Sequence, residues 1–446
     1  MSSWAPAQSA SIQLPELGSN QQAAIDQQTE ETFRNAFLSS LYTRKSVIED
    51  PLVILWLDRL GQRLALHAPL LRAHIQVLPI ASDAINAFAG PGGIIGINRG
   101  LLLAANTTDE VAAVIAHEIG HVSQHHLLRR FANADKDNLT AFATMLAALL
   151  VGQLDPQAGM ATFYAGNAFH LEQQLKFSRH HETEADAVGI QLLAESGFDP
   201  TAMAHFFQTL QQRSLNDPSQ VPEVLRTHPV TPHRIAAAEN RATRFSANLH
   251  NVHPILPPLQ ELKTLLIPNM HRTDRCLARA LQDADLSQAC RETLQKRAQH
   301  DWLVMGILMK WANRHTPQDT AKVIRRKMET HFPNNAALRL IAAQLAFDQG
   351  RYKDSERHLR HVDRLAPSAL RSLAFQLWAR LHKSQHRDDA SLLALAQSAL
   401  LCGNTDKARY LIKQIEPKNL SAEGRSELKS IQASLPNNAS GQQTNL

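Results

Sequence analysis

The chain has 446 residues, of which 44% are hydrophobic, 20% charged and 5% aromatic. At roughly 100–200 residues per domain, that length predicts two to four domains with sizeable cores, and the composition excludes disorder throughout, collagen and a multi-span membrane protein. Lys and Arg (46) exceed Asp and Glu (41) only mildly and are spread along the chain, so no nucleic-acid partner is expected. The 22 histidines are the unusual count, because histidine is the commonest metal ligand and the usual acid–base group.

In chain order, residues 1–20 are polar and small and read as a flexible tail. No basic segment followed by an apolar one opens the chain. A cytosolic chain and a mature secreted chain whose leader gave way to a start Met both fit. Residues 22–70 read as helical, with Phe33, Phe37 and Leu41, then Val53, Leu55, Trp56, Leu60, Leu64 and Leu66 as apolar positions. His74 to Ile80 reads as a strand. Residues 85–102 read as a second extended pair turning at Gly90-Pro91-Gly92-Gly93, a turn and not a phosphate loop. A helix is predicted from Glu110 to about Arg130, capped by Thr107 or Thr108, with Val111, Val114, Ile115, Ile119 and Val122 as its buried stripe. Further helices are predicted at 138–151, 157–195, 199–213 and 231–245. The apolar run Leu139 to Gly152 is too short for a bilayer span of ~20 residues. It reads as a buried core helix, with peripheral membrane contact as the other option.

A proline-rich stretch at 251–261 reads as a linker between a domain at 21–250 and a helical domain at 262–435. Residues 436–446 read as a disordered tail. In the helical domain Pro333 and Pro367 lie 34 residues apart, the tetratricopeptide period. Gly350 and Tyr352 fall at an inter-helix turn between them, with Leu359 and Val362 inward. Gly403 and Ala408 repeat that register relative to Leu392, Leu395, Ala396 and Ala399. The fold class is therefore mainly α (α+β), with a small β-sheet in the first domain and helical repeats in the second. Of the three cysteines, Cys276 and Cys290 lie fourteen apart in a helical hairpin, where a disulfide and two separate thiols fit equally; Cys402 stands apart.

Residues 117–121 read His-Glu-Ile-Gly-His. On a helix, His117 and His121 project from one face and can hold one zinc ion at ~2.0–2.1 Å. Glu118 beside them can take a proton from water, as in zinc peptidases. The motif follows the apolar stretch Val111 to Ala116, where unpaired polar groups would be costly. A catalytic zinc site needs a third protein ligand. No histidine follows six residues after His121, where Leu127 stands. The candidate is Glu182 in Ser178-Arg-His-His-Glu-Thr-Glu-Ala-Asp186, with Asp186 one turn on to accept a hydrogen bond from a ligating ring. Glu184 reads as a solvated charge, and His125, His126, His180 and His181 as neighbours without a ligand role.

These motifs, with Thr227-His228-Pro229, Arg234-Ile235 and Asn86-Ala-Phe-Ala before the glycine turn, resemble the zinc peptidases of the CAAX-prenyl-protease/HtpX type, and the helix-borne Glu182 makes them gluzincins. The repeats and the lack of membrane spans resemble that family's periplasmic branch. The resemblance implies one Zn2+ per chain on His117, His121 and Glu182, Glu118 as general base and acid, and Asp186 behind a ligand. It implies His228 on the metal's fourth position in a latent state, and Arg234 at the oxyanion or the substrate. Asn86, Ala87, Phe88 and Ala89 would lie on a strand that pairs with substrate. It also implies a periplasmic endopeptidase in outer-membrane protein quality control, with unfolded or assembling outer-membrane proteins and their assembly machinery as partners of the repeats. The alternative is a chaperone-like scaffold with a mainly plugged metal site. Retention of Glu118 favours catalysis, since a structural site has no use for a base.

Overall fold

The computed structural model describes residues 27–68, 75–124, 179–216, 221–245, 256–267, 274–362 and 366–435. The two terminal tails, His125, His126, the segment Leu139 to Gly152 and the helix expected at 138–151 lie outside the described residues, as does the 157–178 part of the helix expected at 157–195.

The helical stretch expected at 22–70 is two helices, α1 (Gln27–Thr43) and α2 (Pro51–Ala65). Lys45 breaks the first run at φ 55°, a left-handed conformation of the kind that ends helices. Asp50 starts the second by accepting the Leu52 and Val53 amides at 2.8 and 3.4 Å. Pro51 follows in the first turn, where its missing N–H costs nothing.

Next come β1 (Gln76–Ile80), β2 (Ala87–Ala89), a 3-10 turn at Pro91–Gly93 and β3 (Ile94–Asn98). The sheet order is β1-β3-β2, with β1 parallel and β2 antiparallel to β3. The expected extension of β3 to residue 102 is corrected by α3 (Arg99–Ala104), which buries Leu101, Leu102 and Ala104. A short apolar run does not distinguish strand from buried helix by periodicity, and packing decides it here.

Helix α4 (Thr108–Ser123) begins with Thr107 accepting the Glu110 amide at 3.1 Å, while Glu110 reaches back to the Asn106 amide at 2.6 Å. These reciprocal bonds satisfy otherwise orphaned N–H groups. Every residue from Glu110 to His121 is buried, so α4 runs through the interior. Helices α5 (Arg179–Glu195) and α6 (Ala202–Asn216) pack on it; α7 (Val224–Thr227) follows, and α8 (Pro232–Ala242) packs on α5 and α6.

The remaining helices are α9 (Leu259–Leu266), α10 (Arg275–Leu281), α11 (Gln288–Arg297), α12 (Trp302–His315), α13 (Gln318–His331), α14 (Ala336–Asp348), α15 (Tyr352–Arg360), α16 (Ser368–Ser384), α17 (Asp388–Leu401), α18 (Thr405–Ile412) and α19 (Ala422–Ser434). They pack as successive antiparallel neighbours, α12 on α13, α14 on α15 and α16 on α17. Gly350 (φ 71°) and Gly403 (φ 74°) sit in the turns after α14 and α17. Leu359 is buried and Val362 half-buried against the core. Cys276 and Cys290 are joined by a disulfide between α10 and α11, and Cys402 is a buried free thiol.

One apolar core runs without interruption from Phe33 to Leu381. Its pivot is α2, which packs on β1 and α4 and also on α14 and α16. Trp56 donates its indole N–H to the Pro257 carbonyl at 2.9 Å, and Leu52 lies against Gly306, where a Cβ would approach it to 2.7 Å.

Candidate metal centre

Helices α4 and α5 lie close enough to share a site because neither puts bulk between them. A Cβ on Gly120 would stand 2.9 Å from the Ala185 Cα, and one on Gly189 would stand 3.1 Å from the His117 amide nitrogen. The i, i+4 spacing then aims His117 and His121 from α4, and Glu182 and Asp186 from α5, into the same space. The third contribution is His228, at the end of α7, where the chain turns into Pro229. The glycines are functional positions that the sequence motifs did not single out; their signal was a small residue on each of two helices, Gly120 inside the motif itself.

One nitrogen or oxygen from each of His117, His121, Glu182 and His228 lies within 4.8 Å of all the others, and all four residues are buried. His121 Nε2 is 3.1 Å from His117 Nε2, which is 3.4 Å from His228 Nδ1. Glu182 Oε1 is 2.9 Å from His228 Nδ1 and 3.5 Å from His121 Nε2. Three imidazoles crowded onto one carboxylate bring several potential donor atoms together. A cation resolves that crowding, and the N3O donor set is one that suits a transition metal. The four residues are thus compatible with a metal ion.

Glu118 is 1% exposed. Its carboxylate stands 3.8 Å from His228 Nε2. Burial raises its pKa, against the pull of the His228 and His117 charges and a hydrogen bond from the Ala89 backbone. Asp186 Oδ1 is 3.0 Å from His117 Nδ1, the ring atom turned away from the cluster. Burial opposes ionisation of Asp186, but hydrogen bonds from His117 and Arg234 outweigh it and hold the carboxyl low.

Arg234, on α8, lies behind the cluster. It donates from Nε and Nη2 to the two Asp186 oxygens at 2.8 Å each, and from Nη1 to the Pro229 carbonyl at 2.8 Å. Nη1 is also 2.8 Å from Glu182 Oε2. Its guanidinium lies 4.7 Å from the centroid of the Phe207 ring. The structure therefore places it on two carboxylates and on the loop that carries His228.

Asn86 precedes β2, and its carbonyl accepts the Asn98 amide at 3.1 Å. Phe88 pairs with Gly96 and buries its ring edge-on against Phe37. Strand pairing alternates, so the polar groups of Ala87 and Ala89 face away from β3, and Ala89 is within bonding reach of Glu118. His180 is exposed and pairs with Glu184 at 3.1 Å, one turn apart on the helix surface. Glu184 is thus half-covered, with His180 as its neighbour.

Residues 51–242 match the family model of peptidase family M48. The beta-barrel assembly-enhancing protease of Escherichia coli (strain K12) is 34% identical over 232 residues, 52% of this chain and 47% of its own length. The protein of the same name from Yersinia pestis is 34% identical over 232 residues, covering 52% and 48%. The mitochondrial metalloendopeptidase OMA1 of Schizosaccharomyces pombe is 30% identical over 186 residues, covering 40% and 50%. The match spans about half the length of each of these relatives. The matched stretch carries α4, α5, α7 and α8 with every residue of the cluster, so it is over residues 51–242 that the chain is similar to peptidase family M48.

Proposed function

We propose that the chain is a zinc-dependent endopeptidase of the bacterial envelope, acting in the assembly and quality control of outer-membrane proteins and resting with His228 on its metal. The observation that carries this reading is a buried carboxylate, Glu118, set beside a buried N3O cluster. His117, His121 and Glu182 would hold Zn2+, and His228 would complete the resting set. Zinc bound there supplies Lewis acidity, which lowers the pKa of water towards ~7 and polarises a carbonyl.

The chain's own residues do the rest. Asp186 fixes the His117 tautomer by accepting from Nδ1. Arg234, with its donors on Asp186 and Glu182, positions the ligands; that is the role its contacts support. Glu118 takes a proton from the attacking water and returns it to the leaving amine. The half-buried Ala89 end of β2 would offer an extended peptide a strand edge. His228 occupies the space in front of Glu118, so cleavage requires it to withdraw.

The helix pairs α12–α13, α14–α15 and α16–α17, with the 34-residue proline spacing, support tetratricopeptide-like repeats over 262–435 after a linker at 251–261 and a peptidase domain at 21–250. Such repeats would recruit unfolded or assembling outer-membrane proteins and their assembly machinery. The Cys276–Cys290 disulfide supports an oxidising compartment such as the periplasm. Among the described residues no helix is long and apolar enough to cross a membrane.

Elemental analysis of chelator-free protein together with casein cleavage by wild type and Glu118→Gln tests the reading. One zinc per chain is expected, and cleavage should fall by about 10²–10⁴-fold in the variant at unchanged zinc. A second reading, a scaffold with a plugged site, is favoured by the 2.9 Å approach of His228 to Glu182. It requires that wild type and Glu118→Gln behave alike.

A further inference from the structure

The metal centre uses none of the cations on the helical repeats. Between Gln318 and His361, nine Lys and Arg stand against five Asp and Glu. The i, i+4 spacing puts Arg325 and Glu329 on one face of α13, and Glu329 reaches both α14 and α15 from it. Its Oε1 is 3.4 Å from Arg339 Nη1 on α14 and 3.9 Å from Arg357 Nη2 on α15. Asp354, also on α15, is 2.5 Å from Arg351 Nη1 and 3.4 Å from Arg357 Nη2. Four guanidinium groups thus gather at two carboxylates.

Two of the four are left incompletely matched. Arg351 donates to Gln349 through Nε at 2.8 Å and to Asp354 through Nη1, while its Nη2 is buried without a hydrogen-bond partner. Arg325 is half-buried and has no ion pair among the described residues. Burial lowers its pKa, the Arg351 charge lowers it further, and Asp354 and Glu329 pull against them. A buried N–H on a charged group is costly without an acceptor. The cluster lacks negative charge, and the group that supplies it must accept from several guanidinium forks at once. One bidentate guanidinium fills a carboxylate, whereas a phosphate group has oxygens left for a second. The cluster is also open to solvent, with the Arg351 side chain 30% exposed and that of Arg357 58%.

The surface beside it distinguishes the source of the phosphate. Lys322 and Arg326 are exposed one turn apart on α13, and Val323 between them is 49% exposed. An apolar side chain set among cations suits the headgroup boundary of an anionic bilayer; a free ion would leave it in water. We propose that Arg325, Arg351 and Arg357 form a phosphate site, and that the phosphate is the headgroup of an anionic phospholipid on which α13 and α15 lie. The proposal is independent of the peptidase reading, since the site lies outside residues 51–242.

Sedimentation of the full chain with vesicles tests it, using phosphatidylglycerol and phosphatidylcholine in equal parts or phosphatidylcholine alone. Wild type should bind the mixed vesicles and not the neutral ones. Arg325→Gln and Arg351→Gln should each weaken that binding by about fivefold, and inorganic phosphate should displace wild type at an ionic strength where chloride does not. Arg360→Gln removes an exposed cation already paired with Glu356 at 2.7 Å, so binding should change by less than about twofold. Arg357→Gln, at the most exposed of the three positions, serves if either variant does not fold. Equal losses in Arg360→Gln and Arg325→Gln, or equal displacement by chloride and phosphate, would reveal diffuse charge attraction and overturn the site. Binding of inorganic phosphate by a chain that ignores both vesicles overturns the lipid assignment. Retention on an immobilised polyglutamate peptide, without binding to the mixed vesicles, overturns it in favour of an acidic protein.

Discussion

Replacing Arg234 by Met removes a guanidinium that Asp186 and Glu182 share. Its side chain is 7% exposed and makes contacts of 2.8 Å with Asp186, Glu182 and the Pro229 carbonyl. Met keeps much of the volume and the contact with the Phe207 ring, so the loss is mainly electrostatic. Asp186 is left with His117, and Glu182 with the imidazoles. Breaking a buried pair by removing one partner costs about 3–5 kcal/mol, because the other charge stays buried. That is a large part of the ~5–15 kcal/mol that holds a domain together. A bound cation supplies countercharge to Glu182, so the cost should be smaller with zinc than in chelator. Urea unfolding in each condition, followed by circular dichroism, measures both. Arg234→Lys should fall between, since a point-like ammonium cannot bond both Asp186 oxygens and Glu182 at once. A loss of less than about 1 kcal/mol for Arg234→Met in chelator would refute the reasoning.

Other outcomes follow from single contacts. His228→Ala should raise basal cleavage of unfolded casein without loss of zinc; a fall in turnover at full occupancy would show that His228 assists the reaction. Glu261 is half-buried beside Asp301, and together these outweigh Arg297 and raise its carboxyl from 4.5 to about 8. The stability that the protonated form contributes is complete below pH 4.5 and is lost as pH rises through 8. Glu261→Gln should therefore gain on wild type by up to about 1.4 kcal/mol per pH unit across that window and level off above it; a difference that is flat with pH would contradict the raised carboxyl. A Cβ at Gly403 would meet the Asn35 carbonyl at 2.2 Å, on a residue at φ 74°. Gly403→Ala should cost about 1–3 kcal/mol and speed hydrogen exchange in α1, and unchanged exchange there would show that α1 does not depend on this contact.

The pairing of the candidate ligands was legible in the sequence because it is local. His117 and His121 share a helix face by virtue of 3.6 residues per turn, as do Glu182 and Asp186, and no tertiary contact can change that. The start of α4 was equally local, since Thr107 caps whatever helix follows it. Tertiary structure decided what depends on distance. Two prolines and two threonines around His228 could describe any loop; only the tertiary fold brings its ring 2.9 Å from a glutamate 46 residues away. Arg234 was expected at the oxyanion or the substrate, and the fold adds its contacts with Asp186 and Glu182, the carboxylates that a buried guanidinium needs. The expected continuation of β3 became α3 for the same kind of reason. A short apolar run such as Leu101 to Ala105 satisfies either geometry, and the shape of the space it must fill makes the choice.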